Sequence, residues 1–133
     1  MEILGGNRKD LNTLVEVLTT KVSTSIKSNK VFFENNAHNI HVVSSGFKEF
    51  IAPVVANYGI KENHVHANSF TWEGDNITGF DTQNILSQDK GKPSLVKELG
   101  LRGKIVVIGD GYTDYEIKEA GSADLFVAFT ENV

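Results

Sequence analysis

Residues 105–114 read IVVIGDGYTD: four β-branched apolar residues run straight into two glycines, two aspartates and a short polar turn. The apolar run makes Lys104 to Ile108 the strongest strand expected in the chain. Asp110 follows that strand directly, Asp114 comes one helical turn later, and Gly111 lets the backbone turn tightly between them. A short helix is expected over Thr113 to Ala120, closed by Gly121, and a last strand over Leu125 to Phe129.

Upstream of this stretch, Lys92 to Leu99 has helical character, with Pro93 early enough that its missing N–H does little harm. Residues 69–80, SFTWEGDNITGF, alternate apolar positions around Glu73-Gly74-Asp75-Asn76, which predicts a β-hairpin. Val65 to Ala67 is a short strand candidate. Ile40 to Val43 is another, ended by Ser44, Ser45 and Gly46. Phe47, Phe50, Ile51, Val54, Val55 and Tyr58 then give an amphipathic helix closed by Gly59, although Pro53 removes one backbone bond.

Nearer the N-terminus, Leu11, Leu14, Val15, Leu18 and Val22 recur at helical spacing, with Asn7 as N-cap and Asp10 in the capping-box position. Ile26, Lys30, Phe33 and Ala37 predict a second helix. Strands alternating with helices imply an α/β layered domain with a mostly parallel sheet.

Composition narrows the chemistry. The 133 residues carry 13 basic and 17 acidic side chains, a net charge of -4. No broad basic field exists to attract nucleic acid or an anionic membrane, so neither is an expected partner. With no cysteine, thiolate nucleophiles and Cys-ligated metals are excluded. The polar start, MEILGGNRKDLN, and the lack of a long apolar run make a cytoplasmic location the simplest reading. Oligomeric state is left open.

Two strand ends carry functional groups. At the first, Ser44 offers a hydroxyl, while Ser45 and Gly46 offer backbone N–H groups at an expected helix start, a combination suited to a phosphate oxygen and equally to an ordinary capped turn. At the second, Asp110 and Asp114 suit a hard cation such as magnesium, which takes one or two carboxylates and keeps its other positions for water and phosphate. If they served only as caps, one aspartate would be well explained and the second less so. Lys90 precedes a helix in a turn with Gly91, where a lone lysine is ordinarily a solvated charge.

The ordered set VVSSGF (42–47), DKGKPSLVKEL (89–99) and VIGDGYTDYE (107–116), with the hairpin between the first two, resembles the second, third and fourth motifs of the haloacid dehalogenase superfamily of phosphohydrolases. Within it the phosphoserine phosphatase branch is most similar. The resemblance implies a three-layer α/β/α Rossmann-like core with a mostly parallel sheet plus a β-hairpin. Residues 40–133 would be a partial core and residues 1–39 a helical segment leading from the cap into it. Ser44 would hydrogen-bond a phosphoryl oxygen, assisted by backbone N–H groups around Ser45 and Gly46. Lys90 would offset charge between nucleophile and phosphoryl group. Asp110 would ligate Mg2+, and Asp114 would orient that shell or hold Lys90. The sequence departs from the branch at Ser45, where glycine is common, and at Thr113, where asparagine is common.

The superfamily's first motif, a strand ending in DxDx[TS], supplies the nucleophile that forms an aspartyl-phosphate. Asp10, Asp75, Asp81, Asp89, Asp110, Asp114 and Asp124 include no pair spaced by one residue. The expectation is therefore a fragment of a longer phosphatase for a small phosphomonoester, phosphoserine first, lacking the central strand and inactive alone. Alternatives are a phosphatase for another small phosphomonoester, or a non-catalytic phosphate- or partner-binding domain with a degenerate fold. A phospho-receiver domain fits less well, because its acidic residues come before its lysine.

Four histidines, His38, His41, His64 and His66, raise the question of metal. His64 and His66 share one face of an expected strand, but no third ligand is evident from spacing, and packing is the simpler role. Glu2, Arg8 and Lys9 read as a solvated helix start more readily than as cap residues facing a substrate.

Overall fold

The computed structural model describes residues 6–131; Glu2 lies outside the described residues. The chain forms two compact units, the first reaching Thr82 and the second starting at Gln83. Residues 6–39 and the strand-turn-helix that follows fall in the same first unit.

The first unit opens with α1 (Arg8–Thr20), whose start is fixed as expected. The Asn7 side chain accepts from the Asp10 N–H at 3.0 Å, and the Asp10 carboxylate accepts from the Asn7 N–H at 3.1 Å. Two of the helix's orphan donors are thereby satisfied, although aspartate is one methylene shorter than the usual glutamate. The single second helix expected downstream is instead two short ones, α2 (Thr24–Ser28) and α3 (Lys30–Asn36), separated at Asn29.

Next come β1 (Val42–Phe47), α4 (Lys48–Ala56), β2 (Val65–Asn68) and the hairpin β3 (Phe70–Glu73) and β4 (Asn76–Phe80). β1 and β2 pair in parallel, with Val42 opposite Val65 and Phe47 opposite Asn68. Ser44, Ser45 and Gly46 were expected to end the strand, yet they lie inside it. The far-end pairing with Asn68, whose side-chain amide also donates to the Ser45 carbonyl at 2.9 Å, carries the strand through to Phe47. Gly74, at φ +61°, makes the two-residue hairpin loop.

The α1 start clamps that hairpin. The Arg8 N–H donates to the Asp75 carbonyl at 2.8 Å, and its guanidinium lies 4.5 Å from the Trp72 ring centre. Arg8 thus belongs to the hairpin contact. The apolar faces close over Leu11, Phe70 and Ile77, with Phe47, Phe50 and Trp72 packed around them. Phe47 and Phe70 stack at 4.0 Å. Glu49 ties α4 to β3, its Oε2 accepting from the Phe70 N–H at 2.9 Å and the Trp72 indole N–H at 3.3 Å.

The second unit holds α5 (Gly91–Leu99), β5 (Val106–Gly109), α6 (Tyr112–Glu119) and β6 (Leu125–Ala128). β5 and β6 pair in parallel, Val106 opposite Leu125 and Gly109 opposite Ala128. Val96 and Ile117 are buried, and Tyr115 of α6 meets Phe126 edge-on at 5.5 Å. The opposite face is bare: Val106, Ile108, Leu125 and Val127 are 43–66% exposed. Both units are α/β with parallel strand pairs, as expected. Among the described residues β1 pairs only with β2, and β5 only with β6.

Candidate functional site

The two chemically loaded segments, residues 44–46 and 110–114, lie in different units. Inside β1, Ser44 is half-buried and its Oγ accepts from the Gly46 N–H at 2.9 Å. That N–H, expected to face a phosphate, is engaged within the turn. The helix after it starts at Lys48, two residues past Gly46, so these N–H groups are not the free donors of a helix N-terminus. The acceptor role leaves the Ser44 hydroxyl proton available to an external oxygen.

At the C-terminal end of β5, Asp110 is exposed and makes no hydrogen bond or ion pair among the described residues. Asp114, in the first turn of α6, is held on both oxygens. Lys92 Nζ donates to Oδ1 at 2.7 Å, and the Gly111 N–H reaches Oδ2 at 3.4 Å. The side chains of Lys92 and Asp114 are only 13% and 16% exposed. Lys92 Nζ also donates to Thr113 Oγ1 at 3.0 Å.

The lysine that grips Asp114 is therefore Lys92, and Lys90 pairs with Glu116. Lys90 stands in the left-handed region at φ 56°, the one described non-glycine residue with positive φ. Gly91 follows because a side chain there would run into the Ile85 carbonyl. This sharp entry to α5 is what separates the two lysines. The bond to Glu116 and that carboxylate's charge raise the Lys90 ammonium above the ordinary lysine value. Lys92 could have been found from sequence, since it lies in the first turn of the expected 92–99 helix, but nothing local ranks it above Lys90.

Among the described residues, no group of three His, Asp or Glu side chains is arranged to hold a metal. No described helix is long and apolar enough to cross a membrane.

No family model matches the chain. Curated proteins do. The chain is 32% identical over 98 residues to the chloroplastic phosphoserine phosphatase of Arabidopsis thaliana, covering 71% of this chain and 33% of that protein. It is 27% identical over 139 aligned positions to the phosphoserine phosphatase of Drosophila melanogaster, covering 100% of this chain and 50% of the relative. The chain thus spans between a third and a half of the length of these relatives. Among solved structures, a phosphoserine phosphohydrolase-like protein from Francisella tularensis superposes with a TM-score of 0.71 at 24% identity, over 90% of this chain and 58% of that one. These matches relate the chain to the phosphoserine phosphatases of the haloacid dehalogenase superfamily, whose Rossmann-like α/β fold it shares.

Proposed function

We propose that the chain is part of a magnesium-dependent phosphomonoester hydrolase, with phosphoserine as the first candidate substrate, and that it carries the phosphate-side and metal-side groups without the nucleophile. In this reading residues 1–39 lead out of a cap and residues 40–133 are a partial core. The observation that carries the reading is the division of labour at the end of β5: Asp110 is an unpaired, exposed carboxylate, and Asp114 beside it is locked by Lys92 and Gly111.

One free carboxylate fits an ion that keeps most of its waters, as Mg2+ does, and does not fit a closed protein cage. Asp110 would hold the ion. Bound there, it would neutralise charge on phosphoryl oxygens. Asp114 would orient the turn that presents Asp110, Ser44 would donate its hydroxyl proton to a phosphoryl oxygen, and Ser45 and Gly46 would shape the turn around that hydroxyl. Lys90 or Lys92 would supply positive charge, and the largely shielded side chain of Lys92 favours it as the anchor of Asp114.

Sheet architecture supports an unfilled place. β5 is a parallel strand with one described partner and a bare apolar face, whereas parallel strands ordinarily have both faces covered. A further strand bearing the aspartates that this sequence lacks would complete the acid set.

The test compares the purified 133-residue chain with the longest protein encoded by its reading frame, each assayed on phosphoserine with and without Mg2+. Phosphate release by the longer protein alone, lost on Asp110→Asn, is the expected result. Hydrolysis by the 133-residue chain would overturn the missing-nucleophile claim. Phosphate binding without turnover in both would favour a non-catalytic domain.

A further inference from the structure

Three histidines distant in sequence meet at the entry to the β1–β2 pair. His41 immediately precedes β1, His64 ends the short helical turn before β2, and His66 lies within β2. The His41 and His64 rings stack at 4.1 Å with 11° between planes, and the His41 and His66 ring centres lie 5.2 Å apart with 20° between planes. His41 Nδ1 lies 3.0 Å from His66 Nε2, and His64 Nδ1 lies 2.9 Å from the Ile40 carbonyl oxygen. All three are partly buried.

Hydrogen counting fixes the protonation this arrangement tolerates. A carbonyl cannot donate, so His64 carries a proton on Nδ1. Between His41 and His66, one facing nitrogen must bear a hydrogen and the other must offer its lone pair. His64 stacks on the face of His41, whereas His41 and His66 meet edge to edge through their nitrogens, and no metal-holding cluster is found among the described residues.

We propose that His41, His64 and His66 form a pH-sensitive latch, which ties the start of β1 to β2 while the facing rings share one hydrogen and opens when both become imidazolium. In the doubly protonated pair every ring nitrogen bears a hydrogen. Two N–H groups then point at each other across a 3.0 Å gap, and the bond is replaced by repulsion.

The surroundings give that second charge no compensation. No carboxylate pairs with any of the three rings among the described residues. The charged group acting from α4 is Lys48, another cation, and its field opposes protonation of His66. Burial first, and the His64 imidazole second, hold His41 below the ordinary histidine value of 6.5. Burial, then His41, His64 and Lys48, do the same for His66.

The sign follows from linkage. Where the folded-state value is lowered, the unfolded chain binds more protons between that value and 6.5. The stabilisation is therefore full above pH 6.5 and drains away as pH falls toward the folded-state values. Each unit of lowering corresponds to about a tenfold change in the unfolding constant. The β1–β2 pairing would loosen on acidification, and Ser44 follows directly on Val43, the residue of β1 that pairs with His66.

The experiment is an NMR titration of the 133-residue chain with carbon-13-labelled histidine, joined to urea midpoints measured from about pH 8 down to about pH 5. His41 and His66 are expected to titrate as a coupled pair with midpoints below 6.5. The urea midpoint is expected to fall over the same interval, and His41→Phe, which keeps an aromatic ring but cannot titrate, is expected to flatten that fall. Independent titration of the two rings at or above 6.5 would overturn the latch, as would an undiminished fall in His41→Phe. The wild-type titration decides the matter alone if the variant does not fold. Neither readout depends on phosphatase activity.

Discussion

Lys92 Nζ sits 2.7 Å from Asp114 Oδ1, with both side chains largely withdrawn from water, while Lys90 two residues earlier reaches Glu116 from a mostly exposed position. Charge-assisted bonds between buried partners are costly to break singly, because the survivor is left uncompensated. Lys92→Met is therefore expected to destabilise the chain by about 3 kcal/mol, and Lys90→Met, which strands a Glu116 side chain only 11% exposed, to destabilise it by less, because the Lys90 ammonium itself stands in water. Urea unfolding of the two variants checks this, and equal losses would show that the lysines share the role.

Asp110 has no described partner to lose. Asp110→Asn should leave stability within about 0.5 kcal/mol of the parent chain, as surface changes usually do. It should also abolish whatever Mg2+ affinity the longer protein has, measured by isothermal titration calorimetry. Unchanged Mg2+ binding would remove Asp110 as the ligand.

Glu49 bridges two elements by accepting from a backbone N–H and an indole N–H through one oxygen. Glu49→Ala would strand both donors and is expected to cost about 2–3 kcal/mol. Trp72 fluorescence should shift toward that of a solvated indole. An unshifted spectrum with unchanged stability would mean that the hairpin holds its place without this tie.

Ile77 is 3% exposed at the centre of the first unit's core, beside Leu11 and Phe70. Ile77→Ala should cost about 2–5 kcal/mol through lost burial and a residual cavity, readable as a lowered urea midpoint. The exposed Val17, on the outer side of α1, should tolerate the same change with less than about 1 kcal/mol.

What could be read from the sequence was local or strictly ordered. The Asn7–Asp10 cap and the hairpin around Gly74 are set by residues three or four apart. The order of the three motifs points to the phosphoserine phosphatases to which the chain is similar. The misplaced boundary at Ser44 has a non-local cause: Asn68, 24 residues on, pairs with Phe47 and bonds the Ser45 carbonyl, so a turn-like Ser-Ser-Gly stays in the strand. The exchange of Lys90 for Lys92 depends on one left-handed residue, and lysine is not a residue type that announces such a backbone. His41 joins His64 and His66 only through parallel pairing of β1 with β2, a register no spacing rule supplies.

Gly109 ends β5 directly against the Asp114 carboxyl group, and a β-carbon there would overlap that carboxyl. The missing methyl is therefore the mould in which the acid is cast. Alanine at this position would leave the strand's hydrogen-bonding pattern possible and still evict Asp114 from between Lys92 and Gly111. A change of one carbon, made on a residue with no functional group, would thus disarm the acid turn while every charged side chain remained in the sequence.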